Sequence, residues 1–272
     1  MHADHHLGLV RVLSHFKGKD PVLVIGPAAL QEWLNLVTQV HSSLKSTFTF
    51  VDANSMRTNS FRRTSSENLE YAKKRLRNVL NLSLETVPVF HPSSSSGLIM
   101  NQTLDDNDSN IFKLVYSGDT TPCKHLIEAG KNATILIHEA TFEDGMESEA
   151  KKKRHSTIGQ ALEVGRKMNA HRIVLTHFSA RYTKSSPCST IDGIYCKASD
   201  FFCIRSDQLS RMSEYHQGIL RAEKALSEED KDDDDDNEES IKRRKLLKEA
   251  FCCNDHDDDT TTSNMTAATG II

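Results

Sequence analysis

Ile111-Phe112-Lys113-Leu114-Val115-Tyr116-Ser117-Gly118-Asp119-Thr120 sets a mainly apolar run against a glycine turn that ends in a carboxylate. The run reads as a buried strand, and Gly118 opens the turn that carries Asp119 past its end. Asp and Gly are ordinary turn residues, so the stretch takes its meaning from its neighbours. Downstream, Ile135-Leu136-Ile137 leads into His138-Glu139-Ala140-Thr141, and Ile173-Val174-Leu175 leads into Thr176-His177-Phe178-Ser179. Upstream, the sequence opens Met1-His2-Ala3-Asp4-His5-His6. Imidazole nitrogen and carboxylate oxygen are ligands that zinc accepts in hydrolytic sites, and a shared Asp can bridge two ions. Gathered at one edge of a sheet, such groups form the rim of an active site.

The segments between these runs alternate in period. Leu7, Val10, Leu13 and Phe16 are spaced as one face of a helix, and His6 falls at its start. Residues 21–25 read as a strand, closed by Gly26-Pro27 where a helix carrying Leu30, Trp33, Leu34 and Val37 begins. Phe48 to Val51 reads as another strand, and residues 54–66 as a polar loop with Arg57, Arg62 and Arg63. A helix is expected over 67–84, a strand over 87–90, a loop insertion over 101–110 and helices over 120–129, 146–153 and from Ile158 to Met168. This alternation indicates α/β layering.

With 37% hydrophobic residues among 272, the chain can bury one substantial core. The net charge of −4 argues against a uniformly basic nucleic-acid binder, yet acidic residues crowd the end, with Asp232 to Asp236 among them. Apart from that tail the body is near neutral or mildly basic, which permits an RNA substrate. From about Ser227 the apolar content falls away, so a domain over 1–225 and a disordered tail over 226–272 are expected. Within the tail, Lys242-Arg243-Arg244-Lys245 is similar to a nuclear import signal. The six cysteines show no CxxC pairing and read as reduced thiols of an intracellular protein. No signal peptide, transit peptide or membrane-spanning run is read in the sequence.

His2-x-Asp4-His5, Ser117-Gly118-Asp119-Thr120, His138-Glu139-Ala140-Thr141, His155-Ser156-Thr157 and His177-Phe178-Ser179-x-Arg181-Tyr182 are together specific. In order and context this set resembles the C-terminal half of tRNase Z, in particular its long form, a branch of the metallo-β-lactamase superfamily. The likeness covers roughly residues 1–220. It implies an αββα sandwich, here N-terminally truncated, and an endonuclease that removes the 3′ trailer from precursor tRNA. Two zinc ions are implied: His2 and Asp119 toward the first, and Asp4, His5, Asp119 and His177 toward the second. Asp4 would also orient the attacking water, and His155, steered by Glu139, would protonate the leaving ribose oxygen. Arg181 and Tyr182 either contact backbone phosphate and a base or pack against the core. The resemblance places the protein in the nucleus, the mitochondrion or both.

The sequence departs from that pattern in three places. The first His of the opening motif has no counterpart, and nothing corresponds to the family's upstream half. In His91-Pro92-Ser93-Ser94-Ser95-Ser96-Gly97, alignment gives Ser94 the position of a zinc ligand and His91 an earlier, non-ligand one. One well-held ion and one weakly held ion are therefore expected. Two alternatives follow: a catalytically weak, zinc-binding remnant acting through self-association or a partner that covers the missing half, and a superfamily hydrolase of another ester. The HEAT and HST signatures weigh against the second alternative.

Overall fold

The computed structural model describes residues 6–57, 66–91, 95–104, 111–179, 194–198 and 202–212, with Glu214, Tyr215, Gln217, Gly218 and Arg221. The chain enters through α1 (Gly8–His15), where His6 accepts the first backbone bond from Leu9 and sets its ring edge-on against Trp33. Strand β1 (Val22–Gly26), helix α2 (Ala28–Val40) and strand β2 (Phe48–Asp52) follow, with β1 and β2 parallel. Leu13, Leu30, Leu34 and Phe50 form the core of this layer. After a short 3-10 turn, an isolated parallel bridge from Arg57 to Thr86 ties the segment after β2 to the larger sheet.

Helix α3 (Glu67–Leu80) begins at a Ser66 hydroxyl that accepts from the Leu69 amide, as an N-cap should. It ends earlier than the sequence pattern suggested, because Asn81 adopts a left-handed conformation (φ 49°) and stops the helix. The chain then forms β3 (Leu82–Pro88) and β4 (Ser96–Thr103), and the apolar residues at 82 and 84 belong to the strand. No strand was expected over 96–103, and part of that segment was assigned to a loop. The remaining elements are β5 (Ile111–Tyr116), α4 (Lys124–Ala129), β6 (Ile135–Glu139), α5 (Glu147–Lys153), α6 (Ile158–Met168), β7 (Arg172–Thr176) and β8 (Tyr195–Lys197). A 3-10 helix, Ser206–Arg211, follows β8.

Strands β3 to β8 form one sheet in chain order. β4 runs antiparallel to both β3 and β5, while β5 through β8 are mutually parallel. Consequently β3, β5, β6 and β7 all point the same way and end at the same edge. Alternation along β6 and β7 serves two cores: Leu136, Ile173 and Leu175 face Leu126, Leu162 and Met168, whereas Ile135 and Val174 face Leu209 and Met212. Each fully buried Leu, such as Leu126 or Leu136, contributes about 1.5–3 kcal/mol by leaving water. Gly165 lets α6 lie close on β7, since a Cβ there would stand 2.3 Å from Ile173 Cδ1. This is an α/β architecture, with helices packed on a parallel pair of strands and on a mixed six-stranded sheet, as the αββα expectation requires. The expected tail, 226–272, lies outside the described residues, and no described helix is long and apolar enough to cross a membrane.

Candidate metal centre

Four strand ends deliver the site. Beyond β5, Ser117 and the left-handed Gly118 (φ 57°) turn the chain so that Asp119 sits buried at the sheet edge. A Cβ at Gly118 would also approach the Ser96 carbonyl to 3.2 Å, so both conformation and space favour glycine. The Ser117 hydroxyl donates to the Gly118 carbonyl at 2.6 Å and accepts from the Glu139 amide at 3.0 Å, which locks the ends of β5 and β6 together. Beyond β3, the Phe90 amide donates to the Thr120 hydroxyl and the Thr121 amide to the Phe90 carbonyl, and His91 follows directly. At the end of β7, His177 takes a left-handed backbone (φ 61°), rare outside glycine and frequent at functional sites.

Glu139 is the hub. Its Oε1 accepts from His155 Nδ1 and from the Thr120 amide, both at 2.8 Å; its Oε2 accepts from the Thr141 hydroxyl at 2.6 Å and from the Thr141 and Ser156 amides at 3.2 Å. Burial alone would raise its pKa, but the bonds from His155, Thr141 and Thr120 outweigh that and hold the carboxyl below its usual range. His155 shifts the other way. Burial disfavours its charge, yet the hydrogen bond and the negative charge of Glu139 raise its pKa above the ordinary imidazole value. Both shifts favour a carboxylate facing a protonated imidazole.

Three imidazoles have Nδ1 committed as a donor. His91 Nδ1 lies 2.9 Å from the Arg154 carbonyl, which can only accept. The Thr141 hydroxyl gives its proton to Glu139, so at 2.8 Å from His177 Nδ1 it accepts. His155 Nδ1 donates to the carboxylate. Nε2 of His91 and of His177 is thereby the ring atom left to face Asp119, at 3.9 Å from Oδ2 and 3.6 Å from Oδ1. In the neutral tautomer that Nδ1 donation selects, Nε2 is the ligating atom, and a cation between it and the carboxylate would be held by both. Two ligands each about 2.0–2.1 Å from a tetrahedral zinc stand about 3.4 Å apart, so the spacing and the N/O donor set fit that ion. His155 also has a ring nitrogen within 4.8 Å of ligand atoms of His91 and Asp119, and of Glu139 and His177, but its Nδ1 serves Glu139.

Of the residues singled out in the sequence, Asp119, Glu139, His155 and His177 are brought together at this edge. His2, Asp4, His5, Arg181, Tyr182 and Ser94 lie outside the described residues. His91, read in the sequence at a non-ligand position, has its ring 4.8 Å from that of His155 and stands in the same cluster as Asp119. The signal available for it was its place just past β3, as His177 stands just past β7. Thr141 was not singled out either, although its hydroxyl links Glu139 to His177. His138, next to Glu139, points elsewhere; it is fully buried with Nδ1 2.7 Å from the Glu139 carbonyl, and burial keeps it neutral.

Residues 1–178 match the model of the β-lactamase superfamily domain. The chain is 35% identical over 188 residues to a mitochondrial ribonuclease Z of Drosophila melanogaster, covering 68% of this chain and 23% of the relative. It is 38% identical over 193 residues to the human zinc phosphodiesterase ELAC protein 2, covering 68% and 22%. Among solved structures, a long-form RNase Z from yeast superposes with a TM-score of 0.65 at 26% identity, covering 74% of this chain and 31% of that one. The chain thus spans under a quarter of the length of these curated relatives.

Proposed function

From a chain that belongs to the metallo-β-lactamase superfamily and is homologous to ribonuclease Z, we propose a zinc-dependent endoribonuclease that removes the 3′ trailer from precursor tRNA. The observation that carries this reading is the Glu139–His155 pair, set 2.8 Å apart beside Asp119, His91 and His177. Zinc held at this edge would supply Lewis acidity toward the scissile phosphodiester and would lower the pKa of a water. His91 and Asp119, with His2, would hold one ion; Asp119 and His177, with Asp4 and His5, would hold the other. Asp4 then orients the attacking water. His155 gives its Nε2 proton to the leaving ribose oxygen, and Glu139 keeps the imidazole charged and aimed until transfer. Thr141 fixes the tautomer of His177 so that Nε2 faces inward. Arg181 and Tyr182 would contact the RNA.

Inclusion of His91 supports a fuller ligand set for the first ion than the sequence alone suggested, and so favours activity over a zinc-binding remnant. The mitochondrial relative in Drosophila supports action in mitochondria, and the basic cluster at 242–245 supports a nuclear pool. The test is incubation of the zinc-loaded full chain with a precursor tRNA, with release of an intact trailer as the expected result. His155→Ala should lower kcat by roughly 10²- to 10⁴-fold while RNA affinity changes little. Equal losses in both, or no trailer release by the parent chain, would overturn the reading.

A further inference from the structure

We propose that Lys151-Lys152-Lys153-Arg154, at the C-terminal end of α5, grips the phosphodiester backbone of the RNA strand beside the scissile bond. The proposal rests on the functional reading above. Four consecutive cations are exposed here, and among the described residues no ion pair engages any of them. Several other surface cations are answered: Arg75 meets Asp20 at 3.2 Å, Lys73 meets Glu70 at 3.3 Å and Lys167 meets Glu163 at 3.4 Å. The run thus carries local positive charge on a chain whose net charge is negative.

Its place is fixed to the chemistry. Arg154 closes α5 in a left-handed conformation (φ 62°), its amide bonds back to Lys151, and its carbonyl accepts from His91 Nδ1 at 2.9 Å. The next residue is His155, whose amide bonds to the Ala150 carbonyl at 2.8 Å. One turn of backbone therefore carries four cations on its outer side and positions two imidazoles of the site. Of the acidic residues of α5, Glu149 stands one turn before Lys153 with no ion pair to it among the described residues, and Glu147 is turned back to the Gly145 amide. The helix dipole also favours cations at this end, at about 0.3–1 kcal/mol each, an effect on stability rather than on the salt dependence of RNA binding. Lysine ammonium groups act as sequence-independent point charges toward phosphate, which suits a strand read by its backbone.

The test uses the zinc-loaded full chain carrying Lys151→Ala, Lys152→Ala and Lys153→Ala together, with binding of a fluorescent precursor tRNA followed between about 50 and 200 mM salt. Three lost contacts to a single strand should make the slope of log K against log salt shallower by about 2, because each neutralised phosphate contributes about 0.7. KM should rise with little change in kcat, and the triple Lys→Arg variant should keep the parent slope. An unchanged slope accompanied by a lower Tm would assign the lysines to the helix dipole and overturn the proposal. A slope that falls in a chain releasing no trailer would overturn the nuclease reading and keep the phosphate grip. A parent chain that binds no RNA would overturn both.

Discussion

His91 and Ser94 stand three residues apart, and only the imidazole offers a donor that zinc commonly accepts. Alignment by motif favours position 94, while the fold shows the surroundings of 91: Nδ1 donates to the Arg154 carbonyl, and Nε2 faces Asp119. We expect His91→Ala to lower zinc affinity by more than the 10- to 100-fold typical of losing an outer partner of a ligand. Ser94→Ala should leave zinc content unchanged. Metal analysis after dialysis against a graded chelator separates the two; equal retention in both variants would remove His91 from the ligand set. Glu139 and His155 were legible as a pair because the HEAT and HST motifs resemble a known family. Thr141 was not, since a hydroxyl two residues beyond a carboxylate is common and its link to His177 spans 36 positions of sequence.

Helices with a clean apolar stripe were readable, and α6 shows why: Ile158, Ala161, Leu162 and Met168 all turn toward the sheet. Its start is equally local. Thr157 accepts from the Gln160 amide, and the Gln160 side chain accepts from the Thr157 amide, forming a capping box. Thr157→Ala should cost about 1 kcal/mol, within the 0.5–2 kcal/mol range for such caps, and Thr157→Ser should recover most of it. Urea unfolding measures this difference; a loss within error would mean that the sheet holds α6 without its cap. Strand β4 was unreadable for the opposite reason. Ser96-Gly97 looks like a turn and Asn101-Gln102-Thr103 like a loop, yet backbone bonds to β3 on one side and β5 on the other hold the segment extended. The end of α3 was misplaced because the decisive event, the left-handed Asn81, is a property of one residue inside an apolar pattern that continues into β3.

At the scale of the molecule, the change in composition near Ser227 leads us to propose that the packed body ends near residue 225 and that the tail adds nothing to the site. Limited proteolysis should trim the tail first and leave a zinc-binding core of about that length; a tail as resistant as the body, or loss of zinc on trimming, would refute this. Sequence by itself determined the α/β class, most helices and the residues that end β5, β6 and β7, because hydrophobic period and strand-end chemistry are local properties written into consecutive residues. The tertiary structure alone decided that β3 shares its direction with β5, which depends on an antiparallel β4 between them. That direction sends His91 to the same edge as Asp119 and His177. It likewise decided the upward shift of the His155 pKa and the Nδ1 donors of His91 and His177, because a proton's position follows from the acceptor opposite it, and those acceptors come from distant parts of the chain.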